Sequence, residues 1–138
     1  MTANRLAIGR LIAFAMIVGS VGCTRKSSAD FTPSSGNARA ALDSALKSWK
    51  DGQLPGAVPG TSKPVVQIED SEWRGGQKLS AYEIVSDEPP AGLGPRVFTV
   101  RITVADGKAR EVKYMVVGID PLLIYRDVDY DKLSGMSK

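Results

Sequence analysis

Three carboxylates, Glu69, Asp70 and Glu72, crowd the four positions ahead of Trp73. Two carboxyl groups held in different surroundings can divide acid and base work between them. This cluster is where hydrolytic or isomerising chemistry would reside. Asp127, Asp129 and Asp131 alternate in Asp-Val-Asp-Tyr-Asp. On an extended chain they would share one side and attract a hard cation such as Ca²⁺. An EF-hand loop counted from Asp127 needs Gly at its sixth position and Glu at its twelfth, where this chain has Lys132 and Lys138. The run therefore reads as an acidic, solvated chain end. Gly92-Leu93-Gly94 opens like a dinucleotide loop, but position 97 is Val and no helical pattern follows. Trp73, Gly76, Leu79 and Tyr82 recur every third residue. That spacing fits a loop with exposed aromatics, and fits better a turn entering a strand with Trp73 folded onto the core.

What is missing narrows the chemistry further. There is no histidine and one cysteine, Cys23. The commonest general base, the imidazole metal ligand, an intrachain disulfide and a thiolate zinc cluster all drop out. No Gly-x-Ser-x-Gly nucleophile elbow occurs. We expect no catalytic residues, no metal and no cofactor. The formal charge is +3, from 18 basic and 15 acidic residues. Arg5 and Arg10 precede Cys23 and no acid does, which leaves 16 basic against 15 acidic residues, or +1, for the remainder. A nearly neutral domain lacks the electrostatic footprint of a nucleic-acid binder.

The elements that would position any site divide at Cys23. Ahead of it, Arg5 and Arg10 give a positive start, residues 11–18 are uninterruptedly apolar, and Gly19, Ser20, Val21 and Gly22 are small or apolar. This is the layout of an export signal over residues 1–22, although an uncleaved anchor with Arg10 snorkelling fits the same residues. Ser20-Val21-Gly22-Cys23 resembles the lipobox of bacterial lipoproteins. The resemblance implies a diacylglyceryl thioether on Cys23, cleavage before it, and a cell-envelope location with the domain facing the periplasm or exterior. The membrane would then be its first partner. Residues 23–36, rich in Ser with a Pro and a Gly, read as the lipidated cysteine and a flexible spacer.

The domain proper is expected over 37–131, with a frayed tail at 132–138. A helix is predicted over 37–51, capped by Asn37 and stopped by Gly52, with Ala38, Ala41, Leu42, Ala45, Leu46 and Trp49 on one stripe. Past the Pro/Gly loop at 54–63 the period shortens to 2. Strands are predicted at 65–68, 78–86, 96–105, 111–119 and 122–128, with Asp106-Gly107 as a hairpin turn. Phe98, Val100, Ile102 and Val104 would face the helix. No internal repeat is read.

One N-terminal helix packed on an antiparallel β-meander is an α+β layout. Its element order is similar to the cystatin-like and NTF2-like group. The inhibitory Gln-x-Val-x-Gly motif of cystatins is absent, so inhibition is not implied. The expectation is a non-enzymatic envelope module that binds a partner protein or surface polymer, with Trp73, Tyr114 and Tyr125 as the binding surface. A small carboxylate-based hydrolase or isomerase with an NTF2-like pocket is the alternative.

Overall fold

The computed structural model describes residues 32–60, 63–92 and 94–135. Cys23, the leader and most of the spacer lie outside them. A 16-residue helix, α1 (Ser35–Lys50), comes first. Its buried residues are Ala38, Ala41, Leu42, Ala45, Leu46 and Trp49, the expected stripe. Helical periodicity alone selects this face, because residues three and four apart stack on one side. The N-cap is Ser34, whose side chain accepts the Asn37 N–H at 3.2 Å, so Asn37 lies within the first turn. Two contacts from the sheet hold this earlier start: Arg96 Nε donates to Pro33 O at 3.3 Å, and Ser35 Oγ donates to Asp87. Beyond Lys50 the chain turns at Gly52, whose φ is +82°, as expected of a glycine terminator.

The chain then runs through β1 (Gly56–Ala57), β2 (Val66–Glu69), the single turn α2 (Ser71–Arg74), β3 (Leu79–Glu88), β4 (Arg96–Val104), β5 (Ala109–Val117), β6 (Leu122–Arg126) and a last helix, α3 (Asp127–Ser134). Among the described residues the sheet has six strands, in the order β1-β2-β6-β5-β4-β3. The expected antiparallel meander is present as β3 to β6. The whole sheet is nevertheless mixed, because β2 pairs in parallel with β6 from Val66↔Leu122 to Glu69↔Tyr125. Alternation within a strand says which face a residue takes but not which neighbour the strand joins, so the strand pattern carries no mark of the parallel pair.

Phe98, Val100, Ile102 and Val104 line the helix-facing side with Tyr114, Val116, Leu122, Ile124, Val66 and Ile68, all buried. Strand β3 departs from simple alternation. Its pairing shifts between Leu79 and Ala81 and again between Ile84 and Ser86. The first bulge puts Leu79 and Tyr82 on the same face, and the second leaves Val85 exposed, since each adds one unpaired residue.

The last expected strand, 122–128, stops at Arg126, and residues 127–134 are helical, where the sequence suggested strand and then a frayed end. Two acids in the first turn suit a helix N-terminus. On a helix, residues two apart point to nearly opposite sides. Asp129 therefore points away from the side that Asp127 and Asp131, four residues apart, share, and the three carboxylates do not converge.

Candidate functional site

The carboxylate cluster is built around Asp70, which has zero exposure. Strand β2 delivers it to the N-cap of α2. There its Oδ1 accepts the backbone N–H groups of Glu72 (2.9 Å) and Trp73 (3.2 Å). Its Oδ2 accepts the Tyr114 hydroxyl at 2.6 Å, Arg126 Nε at 3.2 Å and Arg126 Nη2 at 3.0 Å. Five donors thus converge on an anion with about four lone-pair sites. Arg126 is itself 3 % exposed. Its guanidinium lies 5.2 Å from the Tyr114 ring centroid, and its Nη1 sits 3.5 Å from Glu72 Oε1. Glu72 Oε2 pairs with Arg110, which carries the network to the surface. Asp129 Oδ2 accepts the Ser71 N–H at 2.8 Å.

Burial pushes the Tyr114 hydroxyl well above its ordinary value, and the Asp70 charge pushes in the same direction. Burial opposes the charge on Arg126, but the Asp70 carboxylate, by charge and hydrogen bond, and the Glu72 charge outweigh it and raise its value. Tyr114 stays protonated and Arg126 stays charged. Among the described residues no buried side-chain polar atom lacks a partner, and no three His, Cys, Asp or Glu gather as a metal site. The cluster is a saturated ion network closing one end of the core. Its carboxylate has no lone pair to spare as a base.

The sequence signal for Arg126 lies in Leu122, Ile124 and Arg126, the inward phase of β6: a charge in a core phase requires a buried partner. A Ser-x-x-Lys spacing is also present, Ser44 to Lys47 on α1. Lys47 is exposed, and nothing joins it to Ser44 to activate the hydroxyl.

Trp73 and Tyr114 are both buried, at 5 % and 0 % exposure, so neither belongs to an exposed binding surface. Tyr114 is inward because it sits opposite Phe98. Tyr125 is on the other face, partly exposed, and touches Tyr130 of α3 with ring centroids 6.0 Å apart. The expected three-residue surface therefore does not exist as one unit. Around Tyr125 the register instead lines up Val97↔Met115↔Tyr125, with Val117↔Leu123 alongside, all on the outer face and all partly exposed. Glu88 and Glu69 end the first row. Further along the same face Arg101 bridges Glu83 at 3.3 Å and Glu111 at 3.2 Å.

Trp73 has another role. It stacks on Trp49 with centroids 5.6 Å apart and planes 13° from parallel. Trp49 Nε1–H donates to Gln77 O at 2.7 Å, and Trp73 Nε1–H donates to Gln53 O at 2.8 Å. The segments concerned are Trp49-Lys50-Asp51-Gly52-Gln53 and Trp73-Arg74-Gly75-Gly76-Gln77, a short repeat, Trp-[Lys/Arg]-x-Gly-Gln, that a search for domain-sized periodicity passes over. The two copies end their helices alike. Gly52 N–H donates to Trp49 O and Gly76 N–H to Trp73 O, both at 3.0 Å, and both glycines have positive φ. Each indole then grips the glutamine carbonyl of the other copy. Between the two ends lies an open groove of about 420 Å³, floored by the tryptophans.

No protein-family model matches the chain, and no curated protein or solved structure is detectably similar to it.

Proposed function

We propose that this is a non-enzymatic binding module, held at a membrane of the cell envelope by a lipid on Cys23, that docks a partner protein on the outer face of its sheet. The observation carrying the reading is the band of Val97, Met115, Val117, Leu123 and Tyr125 on the face opposite α1. Contiguous aliphatic and aromatic side chains with a charged rim fit a protein surface better than a hydrated polymer. The tether reading rests on the lipobox-like residues and the Ser-rich spacer. A kinship with the cystatin-like and NTF2-like group belongs to the same proposal. The helix-first order and the antiparallel run β3 to β6 support it, and the parallel β2 departs from a plain meander. The alternative, a carboxylate enzyme, needs a free Asp or Glu in an enclosed cavity. The most buried carboxylate, Asp70, is instead consumed by its five donors.

Two experiments test the proposal. Cys23→Ala should move the protein from the membrane fraction, or stall it as a precursor; unchanged retention of the processed variant, or an unmodified Cys23 thiol in the wild type, would refute the anchor. A photoreactive residue replacing Lys113, on the outer face, should capture one defined envelope protein. The same residue replacing Lys47, on the exposed side of α1, should not. Met115→Glu should abolish the capture. Equal capture from both positions, or capture insensitive to Met115→Glu, would refute the docking face.

A further inference from the structure

The paired Trp-[Lys/Arg]-x-Gly-Gln ends flank an open groove that neither the core nor the outer face requires. We propose that this groove is a binding site for a small amphiphilic anion, an apolar ring or short acyl chain ending in a carboxylate. The site uses none of the outer-face residues and stands apart from the docking proposal.

Three observations carry it. The first is preorganisation. One wall is the Gln53-Leu54-Pro55 segment and the other is Gly76-Gln77-Lys78. Each wall is fastened by the tryptophan of the opposite helix, through Trp73 Nε1–H to Gln53 O and Trp49 Nε1–H to Gln77 O. The groove width is therefore set before any ligand arrives, which lowers the ordering cost of binding. The second is the apolar interior. The two stacked indoles line it, each at most 5 % exposed, and Leu54 and Pro55 complete the apolar lining, Leu54 with 85 % of its surface exposed on a loop already tied at Gln53. A volume of about 420 Å³ suits a small ligand. The third is charge. Among the described residues, the two charged ones lining the groove are both cations, Arg74 and Lys78, and no Asp or Glu lines it. Arg74 is partnered by Glu69, while Lys78 is exposed and makes no ion pair among the described residues. An apolar floor with an uncompensated ammonium at its mouth selects a ligand with an apolar body and an anionic end.

The chain has two tryptophans, and both line this groove, so tryptophan emission, excited at the red edge where the four tyrosines do not absorb, reports on it. The probe is 4-phenylbutyrate, with 4-phenylbutan-1-ol as its uncharged counterpart. The acid should change tryptophan emission saturably. The alcohol, and the acid with Lys78→Gln, should each bind up to about fivefold more weakly, the most that one exposed ion pair supplies. Leu54→Ser should weaken both probes. Leu54 and Lys78 are exposed, so both variants should keep the wild-type circular dichroism. A linear, unsaturable response to the acid would overturn the proposal. So would equal affinity for acid and alcohol, or binding indifferent to Lys78→Gln.

Discussion

Trp49 and Trp73 stack at 5.6 Å, and each donates its indole N–H to the glutamine that follows the other's helix. The fold thereby ties the end of α1 to the end of α2 by two hydrogen bonds and one aromatic contact. A Trp→Phe change keeps an aromatic ring but loses the fused pyrrole with its N–H donor. Trp49→Phe and Trp73→Phe should each cost at least about 1–2 kcal/mol in urea unfolding, the lost donor and the smaller ring acting together. The double variant should differ from their sum by 0.5 kcal/mol or more, since ~0.5–3 kcal/mol is usual for touching residues. Strict additivity would show the two ends to be independent. Trp49→Ala, which empties a core site, should cost about 3–5 kcal/mol.

The pairing of Asp70 with Arg126 joins residues 56 apart in the chain at 3.0 Å, with side-chain exposures of 0 % and 4 %. Removing one member leaves the other buried and uncompensated. Asp70→Ala should cost about 3–5 kcal/mol by chemical denaturation. Tyr114→Phe, which deletes one of Asp70's five donors, should cost about 1–3 kcal/mol. If Asp70→Ala were neutral, the network would contribute nothing to the fold.

Gly118, between β5 and β6, has φ +84°, and a Cβ there would lie 2.5 Å from Pro121 O. Gly107, in the Asp106-Gly107 turn, has φ +79° and open space around it. Gly107→Ala meets only the left-handed backbone penalty, about 1 kcal/mol. Gly118→Ala meets that penalty and a backbone clash, and should cost about 1–3 kcal/mol more. Thermal unfolding of the two variants side by side would show the difference.

Asp87 responds to acid. Burial by itself would raise its carboxyl, but hydrogen bonds from Ser35 and Arg96, with the Arg96 charge, outweigh that and hold it below 3.8. The folded chain then binds fewer protons here than the unfolded chain, so this contribution is present above pH 3.8 and is lost as the pH falls through the lowered value. Asp87→Asn should reduce the loss of stability in that acid window and leave its slope at neutral pH unchanged, as followed by chemical denaturation across pH.

Tyr82 responds to alkali. Burial, then a hydrogen bond to Asp43 (2.9 Å) and its charge, push its hydroxyl up to about 12. A raised value means that its contribution is intact below pH 10 and is lost between 10 and about 12. Spectrophotometric titration should show a tyrosinate step near pH 12 that disappears in Tyr82→Phe.

Periodicity by itself determined the α1 stripe, the strand sequence β2 to β6, the hairpin at Asp106-Gly107 and the inward set Phe98, Val100, Ile102 and Val104. Each depends on residues close in the chain repeating at 3.6 or 2, and local sterics enforce that wherever the element lies. Tertiary contact decided the rest. Ser34 caps α1 instead of Asn37, and Arg96 and Asp87, more than 50 residues away, hold Pro33 and Ser35 on either side of that cap. Asp-Val-Asp-Tyr-Asp became helical where alternation suggested strand, and Asp129 turned inward to a backbone N–H on α2. Trp73 and Tyr114 went into the core: one had an indole from α1 to stack on, and the other had Asp70 to receive its hydroxyl. An aromatic with a polar tip is equally at home exposed or buried until a partner for that tip is in place. Only the folded chain brings Gln53 to Trp73 and Asp70 to Tyr114.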